Sequence, residues 1–129
     1  MQNAFGDCPR IFVVDDEEDI AKMIAVILQM NKFDATAFCE PLKALEQADS
    51  TPPDYLVSDI AMPGMNGIDL ALAIQTKIPS CKVLLFTGDV GAPALVEEAK
   101  KGGHEFALLM KPVHPMALVE ALASLRSRH

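Results

Sequence analysis

The sequence predicts an α/β fold with a single parallel β-sheet covered by α-helices on both faces. Two observations carry this prediction. Hydrophobic runs of strand length occur five times along the chain, and each is followed by a segment in which hydrophobic residues recur at helical spacing. Such a (βα)5 pattern favours right-handed crossovers and an open, doubly wound sheet.

The five predicted strands differ in how hydrophobic they are. They span residues 10–14, 33–38, 55–58, 82–86 and 106–110. Three of them are nearly continuous hydrophobic runs, which is typical of central parallel strands that are buried on both faces. The second strand alternates hydrophobic and polar residues, so we place it at an edge of the sheet.

Each predicted helix is bounded by residues that favour a helix start or end. The helical segments are 17–30, 41–48, 67–77, 92–103 and 114–129, with prolines near the start of the second, fourth and fifth, and Gly102–Gly103 ending the fourth. The hydrophobic residues expected to face the sheet are Ile20, Met23, Ile24, Ile27 and Leu28 in the first helix, Leu42 and Leu45 in the second, Ile68, Ala71, Leu72 and Ile74 in the third, and Leu118, Leu122 and Leu125 in the fifth.

Length, charge and cysteine content limit the classes of function. We expect one domain over residues 1–129, with a core from about 10 to 125 and no output domain. The formal net charge of −7 argues against a nucleic-acid surface, which needs clustered Lys and Arg. The three cysteines lack zinc-ligand spacing, and we find no signal peptide and no hydrophobic run of bilayer length. We therefore expect a cytoplasmic protein that does not contact membranes.

Polar and charged residues stand where the predicted strands end. In doubly wound sheets, ligands bind beyond the carboxyl ends of the strands, and in the flavodoxin-like order 2-1-3-4-5 the switch point lies between the first and third strands. Asp15 and Asp16 follow the first strand, Asp59 the third, Thr87 the fourth and Lys111 the fifth. We expect these five side chains to converge.

Each of these residues has an ordinary structural explanation by itself, as a helix-capping carboxylate, a turn residue or a surface lysine. If the five side chains converge, these separate explanations no longer account for the charge that accumulates. Two carboxylates about 5 Å apart repel by about 3 kcal/mol at an effective dielectric near 20, so converging acids need a cation. Oxygen ligands with open water positions suit Mg²⁺, and a neighbouring lysine and hydroxyl suit a phosphoryl group. Asp59 would then be the nucleophile that forms an aspartyl phosphate.

The stretches "VVDDEED", "SDIAMPGMNG", "FTGD" and "KP" occur in an order and at spacings that resemble the receiver domains of two-component response regulators. The resemblance extends over about 10–125. It implies that Asp59 is the phosphoacceptor and that Asp16 ligates Mg²⁺ directly. It further implies that Asp15 helps to hold the ion through water and that the backbone carbonyl of Ala61 is another ligand.

The resemblance also implies roles around the phosphoacceptor. The hydroxyl of Thr87 would turn toward the phosphoryl group, and Lys111 would pair with that group and precede a cis peptide bond to proline. Pro63 and Gly67 match a loop proline and glycine whose expected role is to fix the turn after the third strand.

The sequence departs from the family's usual pattern on the fifth strand. The family usually has an aromatic residue three positions before its lysine, where this sequence has Leu108, and Phe106 lies on the same strand face two residues earlier. We expect Thr87 to move on phosphorylation and Leu108 or Phe106 to transmit the shift by packing. Ala61 and Asp89 occupy the positions that flank the route of the hydrolytic water in the family, and they do not fix the lifetime of the phosphorylated form.

The function implied is a phosphorylation-activated switch, not an enzyme that turns over a separate substrate. A histidine kinase or a histidine phosphotransfer protein would donate the phosphate. An unknown downstream protein would bind the face formed by the fourth helix, fifth strand and fifth helix. A stand-alone regulator and a receiver module of a larger regulator or hybrid kinase are both compatible with the sequence.

Three other readings give different expectations. A haloacid-dehalogenase-like phosphatase needs a second acid two residues after its nucleophile, where this chain has Ala61. A flavin site needs a phosphate-binding loop after the first strand, where the acidic "DDEED" would repel phosphate. A pseudo-receiver that binds partners without being phosphorylated stays open, although the complete set of site residues argues against it.

Overall fold

The computed structural model describes residues 8–89, 91–101 and 106–126, and within them strands and helices alternate along the chain. The strands are β1 (Arg10–Val14), β2 (Asp34–Phe38), β3 (Tyr55–Asp59), β4 (Lys82–Thr87) and β5 (Phe106–Met110). The helices are α1 (Glu18–Met30), α2 (Pro41–Ser50), α3 (Gly67–Lys77), α4 (Ala92–Lys100) and α5 (Pro115–Arg126).

The five strands form one sheet in the order β2-β1-β3-β4-β5, and every neighbouring pair is parallel. The predicted fold class and strand order are therefore confirmed. The alternating strand β2 lies at an edge, as its pattern predicted. The predicted end of the fourth helix at Gly102–Gly103 lies outside the described residues, and α4 ends at Lys100.

Two layers of hydrophobic side chains cover the sheet, one on each face. On one face, β-strand residues such as Phe12 and Leu85 pack with α2, α3 and Val96 of α4. On the other face, residues such as Val13 and Phe86 pack with α1 and α5. Burial of both faces explains why the central strands consist almost entirely of hydrophobic residues.

Two residues that we expected to face the sheet do not. Met23 of α1 is 52% exposed and Leu42 of α2 is 64% exposed. In α1 the buried stripe includes small residues such as Ala21, and in α2 the buried residues are Ala44 and Ala48. Successive residues of a helix are 100° apart around its axis. When the helix face that contains the alanines packs against the sheet, Met23 and Leu42 therefore lie on the outer side. Among the described residues, no helix combines the length and hydrophobicity needed to cross a bilayer.

Candidate functional site

The site lies at the carboxyl ends of the parallel strands, where the chain leaves the sheet. Asp15 comes directly after β1, Asp59 is the last residue of β3, Thr87 is the last residue of β4, and Lys111 comes directly after β5. The strand residues before these positions are mostly hydrophobic and buried, and polar side chains are brought together where the strands end. The sheet therefore positions all four residues.

The carboxylates of Asp15, Asp16 and Asp59 form an acidic cluster in which one oxygen from each lies within 4.8 Å of the others. Asp15 and Asp59 are buried, and Asp16 is exposed. The convergence predicted from the sequence is confirmed for these three side chains. Three carboxylates at this separation match the oxygen ligands and open solvent side that a hard divalent cation requires.

The environment of Asp15 favours a bound cation. The pKa of this carboxyl is raised from 3.8 to about 6, chiefly by burial; the backbone N–H of Glu17 lowers the pKa, and the nearby charge of Asp59 contributes to the rise. That N–H donates to Asp15 Oδ1 at 2.9 Å. The second oxygen, Oδ2, is buried and has no hydrogen-bond partner within the described part of the chain. A buried carboxylate oxygen without a donor is costly, and a metal ion or its bound water would satisfy it. The residues present therefore fit Mg²⁺.

Lys111 supplies positive charge to the acidic cluster. Its Nζ lies 3.2 Å from Asp59 Oδ2, and its backbone N–H donates to the carbonyl of Thr87 at 2.8 Å. The peptide bond from Lys111 to Pro112 is cis, as the resemblance implied. The ammonium also lies over the ring of Phe86, 5.5 Å from its centroid.

Thr87 is buried beside these charges at the end of β4. Its hydroxyl oxygen accepts the backbone N–H of Asp89 at 3.0 Å. The Asp89 carboxylate in turn accepts the backbone N–H of Gly91 at 2.8 Å, which holds the loop that leads into α4. Any movement of the Thr87 hydroxyl toward a new acceptor would break its bond to this loop.

Comparison with known proteins gives the family. A family model described as the response regulator receiver domain matches residues 11–123. The chain belongs to this family. Receiver domains of response regulators are phosphorylation switches of two-component signalling that interact with histidine kinases and bind Mg²⁺ at acidic residues.

Individual relatives agree with this assignment. Chemotaxis protein CheY of Listeria monocytogenes is 32% identical over 114 residues, which are 88% of this chain and 94% of that protein. The C4-dicarboxylate transport transcriptional regulatory protein DctD of Rhizobium meliloti is 29% identical over 88% of this chain and 24% of its own length. The structure of chemotaxis protein CheY4 of Vibrio cholerae has a TM-score of 0.81 at 22% identity, covering 92% of this chain and 98% of that one. This last likeness shows the shared fold.

The relatives differ in how much of their length this receiver domain spans. It spans nearly all of the chemotaxis protein, about half of the DNA-binding response regulator MtrA of Mycobacterium leprae, and about a quarter of DctD.

The turn after β3 in this receiver domain is built around Gly67. Its N–H donates to the carbonyl of Ile60 at 2.8 Å. A Cβ at Gly67 would lie 2.9 Å from the carbonyl carbon of Asp59 and closer still to its oxygen, so only glycine fits. Ala61, the expected carbonyl ligand, is exposed in the same turn, and Gly64 has a φ of +81°. Gly67 thus does more than turn the chain, because it makes room for the backbone of Asp59.

Leu108, the departure on β5, and Phe106, two residues earlier, lie at different depths. Phe106 is buried and Leu108 is half-buried, and both pack in the hydrophobic layer that includes Val96 of α4. The expectation that they share a face of the strand is confirmed. In the strand register, Phe106 lies beside Val83 and Leu108 beside Leu85 of β4.

A groove of about 510 Å³ opens beside Lys111, between α1 and the start of α5. Its walls are largely hydrophobic and include Ile20, Phe86 and Leu118. Phe86 was not among the residues singled out from the sequence. An aromatic residue immediately before Thr87 was the available signal, but the pattern of a buried strand accounts for it equally well.

Proposed function

We propose that Asp59 of this receiver domain accepts a phosphoryl group and that Asp15, Asp16, Thr87 and Lys111 assist the transfer. The observation that carries the proposal is the convergence of three carboxylates within 4.8 Å of one another, with one of them in contact with the Lys111 ammonium at 3.2 Å. Family membership supports the same reading. Receiver domains act as phosphorylation switches, and the roles of the individual residues in this chain are what we propose.

The transfer uses a carboxylate oxygen of Asp59 as the nucleophile. That oxygen forms a bond to phosphorus while the bond from phosphorus to the imidazole nitrogen of a phosphohistidine breaks. The electron pair of the broken bond stays on the imidazole nitrogen. Lys111 then faces the transferred oxygens and neutralises part of their charge, and the buried Thr87 hydroxyl donates a hydrogen bond to them.

Asp15, Asp16, Asp59 and the backbone carbonyl of Ala61 would hold Mg²⁺. When bound, the ion supplies the positive charge that three carboxylates and an incoming phosphoryl group require. The unsatisfied Oδ2 of Asp15 is the feature of this chain that supports a cation there. Asp15 and Asp16 themselves serve to hold positive charge next to the nucleophile.

The signal leaves through the face of α4, β5 and α5. This face carries exposed hydrophobic side chains, Leu95 on α4, Met110 on β5 and Met116 on α5. Exposed hydrophobic side chains on neighbouring elements are available to a protein partner. On phosphorylation the Thr87 hydroxyl follows the new oxygens, and the adjoining end of β5 adjusts with it.

The proposed partners are a histidine kinase or a histidine phosphotransfer protein as phosphate donor and a downstream protein as receiver of the signal, without nucleic acid or membrane contact. The chain turns over no separate substrate and works in the cytoplasm, where its donors act. A stand-alone regulator is one candidate, by analogy with the chemotaxis protein that the chain spans almost completely. The relatives of which it spans about a quarter keep a receiver module of a larger protein as the second candidate.

Mass spectrometry of the intact protein tests the proposal directly. Incubation with Mg²⁺ and acetyl phosphate is expected to add one phosphoryl group, and EDTA or Asp59→Asn is expected to prevent it. Asp34→Asn is the matched control, because Asp34 is an exposed carboxylate at the opposite end of the sheet. Phosphorylation that persists in Asp59→Asn would refute the assignment, and no uptake by the unmodified chain would indicate a pseudo-receiver.

A further inference from the structure

The ring of Phe86 is the one side chain in the site that contacts Lys111 without carrying charge, among the contacts described for the ammonium. Lys111 Nζ lies 5.5 Å from the ring centroid, within the distance at which an ammonium is attracted to an aromatic face. The same nitrogen lies 3.2 Å from Asp59 Oδ2. The ammonium therefore sits between a carboxylate and an aromatic ring.

Phe86 is itself held rigidly. It is 1% exposed and packs in the hydrophobic layer against α1 and α5. Its backbone carbonyl accepts the N–H of Ile60 at 3.0 Å, which joins it to the residue that follows Asp59. A ring fixed in this way offers a constant position for the ammonium, whereas the Lys111 side chain is one-third exposed and has four rotatable bonds.

We propose that Phe86 is a positioning residue that holds the Lys111 ammonium beside Asp59 through its aromatic face. The inference rests on the proposed function, because it gives Lys111 a task in phosphoryl transfer. Its consequence is that Lys111 does not depend on the Asp59 carboxylate alone for its place. Once a phosphoryl group covers one carboxylate oxygen, the ring still keeps the ammonium within reach of the new oxygens.

The groove beside Lys111 gives the contact with the Phe86 ring a purpose. Phe86 and Lys111 both line the groove, and Asp59 is not among its lining residues. A lysine next to open space would otherwise exchange between the site and water, at a cost in side-chain entropy whenever it returned. The aromatic face offsets part of that cost, because a cation retains some stabilisation there that an aliphatic side chain does not provide.

The substitution that separates this role from simple packing is Phe86→Leu, with Phe86→Tyr as the conservative variant that retains the ring. Phe12→Leu is the matched control, because Phe12 is also 1% exposed but packs in the hydrophobic layer on the other face of the sheet. Each variant is first compared with the unmodified chain for its melting temperature and its Mg²⁺ affinity. Phe86 contacts none of the three carboxylates in the described interactions, so Mg²⁺ affinity is expected to stay unchanged.

Two readouts then report on Lys111. In NMR spectra, the ring current is expected to shift the methylene protons next to the Lys111 ammonium upfield, in the unmodified chain and Phe86→Tyr but not in Phe86→Leu. The rate of phosphorylation by acetyl phosphate is expected to fall about two- to fivefold in Phe86→Leu, the size of a partly exposed cation–π contact. It is expected to stay near the original value in Phe86→Tyr and Phe12→Leu.

A double-mutant cycle decides the interpretation. In a Lys111→Gln background, Phe86→Leu is expected to cause no further loss of rate, because the ring then has no ammonium to hold. An equal loss with and without Lys111, or no loss in either background, would overturn the inference. If the unmodified chain takes up no phosphate, the proposed function fails instead, and the ring-current shift alone then decides whether Phe86 holds Lys111.

Discussion

Replacing Asp15 with asparagine is expected to stabilise the metal-free protein while removing its response to Mg²⁺. Asp15 is completely buried, and its Oδ2 has no hydrogen-bond donor among the described residues. The asparagine side-chain oxygen can still accept the backbone N–H of Glu17, which now bonds to Oδ1 at 2.9 Å. The substitution therefore removes a charge and keeps the hydrogen bond.

The magnitude follows from the burial of Asp15 and from its distance to Asp59. Charges on Asp15 and Asp59 no farther apart than 4.8 Å repel by about 3 kcal/mol at an effective dielectric of 20, and Lys111 offsets part of this. The pKa of Asp15, raised from 3.8 to about 6, gives a similar cost of about 3 kcal/mol at neutral pH. We therefore expect about 2–3 kcal/mol of stabilisation, or about 8–12 °C in melting temperature.

The sign of the pH dependence is also determined. A carboxyl whose pKa is higher in the folded state binds its proton more tightly when folded, so the protein loses stability as the carboxyl ionises. The loss of stability caused by ionised Asp15 reaches its full size above about pH 6. It disappears as the pH falls from about 6 toward 3.8. The advantage of Asp15→Asn in EDTA should accordingly shrink as the pH is lowered through this range.

Thermal unfolding in EDTA and in millimolar Mg²⁺ measures both effects. Mg²⁺ should raise the melting temperature of the unmodified chain, because it binds only the folded state, and should leave Asp15→Asn nearly unchanged. Asp19→Asn is the control, since Asp19 is an exposed carboxylate in the first turn of α1, outside the cluster. A lower melting temperature for Asp15→Asn than for the unmodified chain in EDTA would refute the electrostatic reasoning.

Three further predictions concern the fold that carries the site. Gly67→Ala should lower the free energy of unfolding by about 1–3 kcal/mol and weaken Mg²⁺ binding, because the new Cβ would push against the backbone of Asp59. Urea unfolding measures the first effect and Mg²⁺ titration the second. Asn66→Ala should cost about 1 kcal/mol in urea unfolding, because the Asn66 side chain caps α3 by accepting the N–H of Asp69 at 2.8 Å. Cys81 should resist thiol reagents in the native protein while the two exposed cysteines react, since burial raises the pKa of its thiol to about 12; the mass after labelling counts the reacted thiols.

Each of these has a control in the same chain. Gly64 has a φ of +81° but open space around it, so Gly64→Ala should cost stability without lowering Mg²⁺ affinity. Asp69→Asn keeps the capped backbone N–H and should change stability by less than Asn66→Ala does. Complete labelling of Cys81 before unfolding would contradict its assignment to the core.

The fold could be read from the sequence because its strands are unusually distinct. Hydrophobic runs of strand length indicated the strand positions, and the alternating pattern of 33–38 placed that strand at an edge. The helix faces were less certain. Met23 and Leu42 have the right spacing but point outward, because the alanines beside them determine how closely each helix approaches the sheet.

The acidic cluster was equally predictable, and for a topological reason. The carboxyl ends of parallel strands meet at one edge, so residues far apart in sequence, such as Asp15 and Asp59, had to converge once the strand order was known. Two contacts of the site could not be predicted, because they depend on distances between residues that are not neighbours in the sequence. The fit of Gly67 against the backbone of Asp59, and the ring of Phe86 beneath Lys111, are contacts that hydrophobic pattern and spacing do not encode.

We propose that the placement of Lys111 lets this chain transmit phosphorylation without an aromatic residue at position 108. Its ammonium contacts Asp59 at 3.2 Å, and its backbone N–H is bonded to the carbonyl of Thr87 at 2.8 Å. We therefore expect charge added at Asp59 to act on the ends of both β4 and β5 through Lys111. Leu108, three residues earlier on β5, packs in the same hydrophobic layer as Val96 of α4. A small displacement of the strand end can thus reach α4 through packed side chains, because a close-packed layer transmits strain instead of absorbing it.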